Sequence, residues 1–135
     1  MATYPLSEAY ADGNVLSAAN VNSITEGVND ITFAQYNTQS GTSYTLILSD
    51  VAKWIYTTSG SSTTVTVPTN ASAAFPVGSQ VMFLQYGAGQ VTIAAAGGVT
   101  IRSQGARLKL SGQYAVAGIV KIATDEWVAF GNLSA

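Results

Sequence analysis

Side chains able to do chemistry are scarce in this chain. Its 135 residues include seven acids, five bases, no histidine and no cysteine. Imidazole acid–base catalysis, thiol nucleophiles, disulfides and Cys/His zinc sites are therefore excluded. No serine has a histidine to activate it, and the lysines stand apart. Asp125-Glu126 is the one adjacent pair of acids. It could contribute to a cation site, but such sites need several more oxygens, and a turn between two strands explains the pair better. Glycoside hydrolysis needs two carboxylates flanking the bond, and after residue 37 there are only Asp50, Asp125 and Glu126, in no local pattern. Gly87-Ala88-Gly89 has the look of a nucleotide-binding fragment, yet no third glycine is in register and no helix follows, so it reads as a hairpin turn. No enzyme, metal or cofactor is expected.

Two groupings could bind instead. Arg102, Arg107 and Lys109 surround the Ser103–Ala106 loop and form the only cluster of bases. They are a candidate patch for an anionic ligand such as a polysaccharide, or else a solvated loop that keeps the domain soluble. Tyr36, Tyr44, Trp54, Tyr56, Tyr86, Tyr114 and Trp127 could offer rings for sugar stacking, though β domains commonly bury such rings.

These residues must be held by two unlike segments. Residues 1–37 carry Glu8, Asp12, Glu26 and Asp30 and no base, whereas the remainder carries all five bases against three acids. The first fourteen residues show no period and contain Pro5 and Asp12-Gly13-Asn14, so they read as an extended arm. Ser17 suits a helix N-cap. Val21, Ile24, Val28 and Ile31 follow at spacings of three, four and three, an a/d seam about two heptads long. β-branched residues at both a and d favour trimers or larger assemblies over dimers. Gly27 weakens the helix by about 1 kcal/mol relative to Ala, so it must pack on copies of itself, on its own β domain or on a host surface.

From Gly41 the pattern is of short strands separated by turns. Strands are expected at Tyr44–Leu48, Val51–Tyr56, Thr63–Val67 (ended by Pro68), Ser79–Tyr86, around Val91/Ile93, Val99/Ile101 and Leu108/Leu110, then Tyr114–Ile122 and Trp127–Phe130. Val81–Leu84 reads as covered on both faces. Tyr114, Val116, Val120 and Ile122 fall on one face of the long strand. Turns are expected at Ser49-Asp50 and Thr124-Asp125, and hairpin turns at Gly87–Gly89 and Gly97-Gly98. The expected architecture is mainly β: an antiparallel sandwich or barrel-like domain over 38–135, preceded by an arm and a short coiled-coil-like helix over 1–37.

Charged residues make up 9% of the chain, against roughly 25% in an average soluble protein. With net charge −2 it lacks the basic excess of a nucleic-acid binder. It has neither a signal-peptide pattern at Met1–Ser7 nor an apolar run long enough to span a membrane. So few charges, together with the seam, point to a symmetric homo-oligomer, most simply a homotrimer.

A more specific likeness lies in the order of several segments. They are Thr64-Val65-Thr66-Val67-Pro68, Ala74-Phe75-Pro76-Val77-Gly78-Ser79-Gln80-Val81 and Gln85-Tyr86-Gly87-Ala88-Gly89-Gln90-Val91-Thr92-Ile93, then Gly98-Val99-Thr100-Ile101-Arg102, Leu108-Lys109-Leu110-Ser111-Gly112-Gln113-Tyr114 and Asp125-Glu126-Trp127. Over about residues 42–133 this succession resembles a β module recurrent in virion proteins of tailed bacteriophages. Gly13–Asp30 is similar to a short helix of phage head and tail structural proteins. The resemblance implies a virion structural role without catalytic residues, often as a trimer, in fibres, tail proteins or head-decorating proteins. An arm with a compact knob and no long shaft suits a capsid decoration or cement protein of head-fibre type, made in the host cytoplasm and displayed on the particle. Tyr4, Leu6, Glu8, Tyr10 and Asp12 would attach it to the major capsid protein or another virion protein, and Val21, Ile24, Val28 and Ile31 would trimerise it. The alternative is a tail fibre, receptor-binding tip or tail adaptor recognising host surface polysaccharide. Neither reading calls for nucleic acid or a membrane.

Overall fold

A computed structural model describes residues 33–135, of which Gln35–Ala135 form one compact unit. The expected arm and seam, with Tyr4, Leu6, Glu8, Tyr10, Asp12, Val21, Ile24, Val28 and Ile31, lie outside the described residues. The strands are β1 (Gln35–Gln39), β2 (Ser43–Thr45), β3 (Lys53–Thr57), β4 (Thr63–Val67), β5 (Gln80–Gln85), β6 (Val91–Ala95), β7 (Thr100–Ser103), β8 (Lys109–Leu110), β9 (Val116–Ala123), β10 (Glu126–Gly131) and β11 (Leu133–Ser134). Two 3-10 turns, Leu48–Asp50 and Gln104–Ala106, interrupt them. β1 precedes the point at which the sequence pattern first reads as strand.

The domain is mainly β, as expected, but its sheets are mixed rather than antiparallel. A six-stranded sheet runs β1-β3-β5-β9-β10-β7 and a five-stranded sheet runs β11-β8-β6-β4-β2. β1, β3 and β5 are parallel to one another, as are β2, β4 and β6. The chain crosses to the other sheet after each of the first eight strands. Parallel neighbours need a long crossover, and here a strand of the opposite sheet serves where a helix often does. The result is three stacked two-strand coils. β9 and β10 then form the antiparallel hairpin that the Thr124-Asp125 turn foretold, with Asp125 in the left-handed region that Asp tolerates (φ 55°).

Two expected hairpins are thereby corrected. Gly87–Gly89 and Gly97-Gly98 connect strands in different sheets. The first crosses directly against the preceding coil: Gly87 N–H donates to Thr57 O and Gly89 N–H to Ser59 O, each at 3.0 Å. A Cβ on Gly87 would lie 2.1 Å from Ser59 O, and one on Gly89 would lie 1.9 Å from Ser61 O. Glycine is required there by the backbone alongside, not by a tight hairpin.

The core lies between the sheets. Leu46, Ile55, Val65, Val67, Val81, Phe83, Val91, Ile93, Leu110, Ile119 and Trp127 are essentially buried. Val65 and Val67 share one face of β4 and Val91 and Ile93 one face of β6, as alternation in sequence predicts, and both faces point inward. One other assignment changes, and for β9 the structure decides which face meets the core. In β5, Val81, Phe83 and Gln85 point inward while Met82 and Leu84 are half-buried on the outer face, so this strand is not covered on both sides. In β9, Ala117, Ile119 and Lys121 point inward, so the apolar set Val116, Val120 and Ile122, preceded by Tyr114, belongs to the outside.

Candidate functional site

The outer faces of the two sheets have opposite character. On the five-stranded sheet, the outward rows are Ser43–Thr64–Thr92–Lys109 and Thr45–Thr66–Ala94. On the six-stranded sheet they are Tyr36–Trp54–Met82–Gly118–Phe130, Thr38–Tyr56–Leu84–Val116 and Gln80–Val120–Val128–Arg102. One face is small and hydroxylated, whereas the other is aliphatic and aromatic, with charge only at its β7/β10 edge.

Tyrosines run across one end of the apolar face. Tyr36 and Tyr56 have centroids 5.7 Å apart, Tyr56 stacks on Tyr86 at 5.1 Å, and Tyr86 meets Tyr114 edge-on at 5.5 Å. Trp54 joins at 6.4 Å from Tyr36. Desolvation by the surrounding side chains, followed by the nearness of Tyr86, Tyr36 and Tyr114, pushes the Tyr56 phenol above its ordinary pKa. Tyr114 is 63% exposed and sits at φ 67°, a region costly for a bulky residue. Its N–H donates to Gln85 O at 2.6 Å, which holds it there. At Gly118 the face is levelled by Met82 and Phe130, whose side chains lie 2.6 and 2.7 Å from where a Cβ would stand.

Two buried polar nodes brace the domain. Asp50, read from sequence as a turn residue, is fully buried. It accepts from Tyr44 Oη at 2.6 Å, Asn37 Nδ2 at 2.8 Å and the Ile47 N–H at 2.9 Å, tying β1 and β2 to the Leu48–Asp50 turn. Asn37 Nδ2 also donates to Tyr44 Oη, and Gln39 Nε2 donates to Asn37 Oδ1, both at 2.8 Å. Burial, then the hydrogen bond to Asp50 and its charge, push Tyr44 up to about 12, so its hydroxyl stays a donor. At the second node Lys121, 3% exposed, donates to Asn70 Oδ1 at 2.6 Å and Phe75 O at 2.7 Å, with its Nζ 5.9 Å from the Trp127 ring centroid. The Asn70 N–H donates in turn to Asp125 Oδ1 at 2.6 Å. Each node is satisfied internally, and what it does is position backbone.

The three bases read as a patch stand on separate elements. Arg102 lies on edge strand β7, outward, and is ion-paired with Glu126 of β10. Lys109 is exposed on β8 of the other sheet. Arg107 lies between the Gln104–Ala106 turn and β8, and lines a hollow of about 170 Å³ with Gln104, Phe130 and Leu133. Asp125 and Glu126 are both engaged in fastening, one to the Asn70 backbone and the other to Arg102. Among the described residues no cluster of three or more metal-ligating side chains occurs, and no helix is long and apolar enough to cross a membrane.

The surface that sequence reasoning missed is the apolar outer face. Its signal was present in the Tyr114/Val116/Val120/Ile122 alternation, which places these residues on one face but leaves open whether that face meets the core, because β9 carries apolar residues on both sides. No protein-family model, curated protein or solved structure matches this chain.

Proposed function

We propose that this chain is a non-enzymatic structural protein of a tailed-bacteriophage virion. In this reading it is a homotrimeric capsid decoration or cement protein that attaches to the head through its N-terminal arm and displays the β domain outward. The observation that carries the reading is the ordered succession of segments from Thr64 to Trp127. A contiguous apolar sheet face on a weakly charged domain supports it further, since large exposed apolar patches mark surfaces that assemble. The arm supplies acids at Glu8 and Asp12 and apolar anchors at Tyr4, Leu6 and Tyr10, which suit insertion between capsid subunits. Three arms on one trimer would turn weak individual contacts into durable attachment through effective concentration.

Two experiments test this. Antibody-labelled electron microscopy of particles should place the protein on the head. Deletion of residues 2–16 should leave a folded oligomer that no longer binds heads lacking it. If the truncated protein decorates heads fully, the arm does not attach it.

The second reading is a tail-fibre tip or adaptor that recognises host polysaccharide. Arg107 beside its hollow is the observation that favours it. Saturable binding of the purified protein to host cells, abolished in Arg102→Ala and Arg107→Ala, would establish it over the first.

A further inference from the structure

The outer face of the six-stranded sheet is the feature that the domain's own fold leaves unexplained. A sheet packed on one side normally shows water a polar row. The five-stranded sheet does this with Ser43, Thr45, Thr64, Thr66 and Thr92, and the six-stranded sheet does not. Trp54, Tyr56, Met82, Leu84, Val116, Val120 and Val128 are only half-buried there, while Tyr36, Tyr86, Tyr114 and Phe130 are 61, 49, 63 and 42% exposed.

We propose that this face is the surface through which copies of the chain pack against one another. Six strands about 4.8 Å apart and four to eight residues long give a footprint on the order of 500 Å² before side-chain relief. That is near the largest apolar patch of an ordinary monomer, and with its rim it approaches the ~800 Å² per partner of a stable complex. Its composition of aromatic and methionine side chains without central charge is that of an interface core. A hollow of about 370 Å³ beside Trp54 and Met82, lined also by Val51 and Gln80, opens at one end and can take a partner's aromatic ring. Tyr114 is held at a strained φ with its ring outward, where a partner's surface would cover it.

The occupant is a second copy because of where the preceding chain ends. Only residues 32–34 separate Ile31, the last seam residue, from Gln35 at the start of β1. Four extended residues reach at most about 14 Å. Copies gathered at the seam would therefore keep the starts of their β1 strands, which bear Tyr36 at the edge of this face, within that reach of their own Ile31 and so near one another. The inference rests on the self-association proposed above and not on location in a virion.

The test uses the full chain. Leu84→Glu places a charge at the centre of the face without touching the core. Wild type should sediment at three times 13.9 kDa, and Leu84→Glu should sediment as a monomer that keeps its β circular dichroism and a cooperative thermal transition. Because the chain has no cysteine, Tyr36→Cys and Thr64→Cys give a second readout that does not require the charged variant to fold. Both positions are exposed in one protomer. Maleimide should label Tyr36→Cys at least tenfold more slowly than Thr64→Cys, and dilution to monomer should abolish the difference. A trimeric Leu84→Glu, or equal labelling in an intact wild-type trimer, would overturn this interface and leave the oligomer standing. A monomeric wild type would remove the oligomer itself. Tyr36→Cys protected in a monomer would assign the face to the chain's own N-terminal segment. Host polysaccharide binding lost in Leu84→Glu with the trimer unchanged would assign it to a glycan, and either result overturns the proposal.

Discussion

Asp50→Ala should be among the most damaging single substitutions in the β domain. The carboxylate is fully buried and is the shared acceptor for Tyr44 Oη, Asn37 Nδ2 and the Ile47 N–H. Hydrogen bonds to a charged group contribute about 1.5–3 kcal/mol each, and a buried donor left unpaired costs about 1–3 kcal/mol. Asn37 retains Tyr44 Oη as an acceptor, so the three losses do not add in full. The expected loss is about 3–5 kcal/mol, a large share of the roughly 5–15 kcal/mol that holds a domain together. Tyr44→Phe removes one of these bonds and should cost about 1.5–3 kcal/mol. The double variant should lose less than the sum, because each change removes the partner of the other. Urea unfolding followed by Trp fluorescence measures all three. The pH dependence gives an independent check. The folded state holds the Tyr44 proton up to about 12, whereas the unfolded chain releases it near the ordinary 10.0. This contribution is therefore complete below pH 10 and is lost as pH rises toward 12. Tyr44→Phe should flatten that part of the stability profile. An Asp50→Ala protein within about 1 kcal/mol of wild type would refute the argument that this network joins β1 and β2 to the turn.

Three further outcomes follow from the geometry. Gly89→Ala, which sets a Cβ 1.9 Å from the Ser61 carbonyl oxygen, should destabilise the domain by about 3 kcal/mol or more in urea unfolding, because backbone stands in the way. Tyr114→Gly should relieve the strained φ and stay within about 1 kcal/mol of wild-type unfolding stability while weakening oligomerisation on dilution, measured by sedimentation. Under the proposed trimer, Ile24→Asp should weaken self-association, since it would place a charge in the seam expected from sequence, and a trimer that sediments as wild type does would assign the whole interface to the β domain.

How far the sequence could be read depended on which physical signal each feature carries. Alternation fixes which residues of one strand share a face, and it located Val65/Val67 and Val91/Ile93 correctly. It is silent on the direction of the neighbouring strand. Strands about ten residues apart with glycine turns suit a meander, but they equally suit a chain that changes sheet at every turn. The deciding information lay in Gly87 and Gly89, whose need for close backbone approach depends on residues 58–61, far back in the chain. Asp50 was illegible for a similar reason, since its donors come from β1, β2 and the turn before it. Local turn chemistry explained its residue type well enough to hide the buried role.

The long strand β9 shows where the limit becomes informative. Apolar residues occupy both of its faces, and sequence alone cannot say which face meets the core. The structure gives the inner side to Ala117, Ile119 and Lys121, and Lys121 is accommodated there by donating hydrogen bonds to Asn70 Oδ1 and the Phe75 carbonyl. Val116, Val120 and Ile122 thus go outward, where a half-solvated sheet ordinarily carries polar side chains. Placing a lysine inward and valines outward reverses the ordinary sorting of a half-buried strand. The inward lysine is offset by hydrogen bonds within the domain, whereas the outward valines stay half-buried among the described residues. The outer face of the six-stranded sheet is therefore where this domain departs from the ordinary sorting of a half-buried sheet, and that departure is what the proposed contact between copies accounts for.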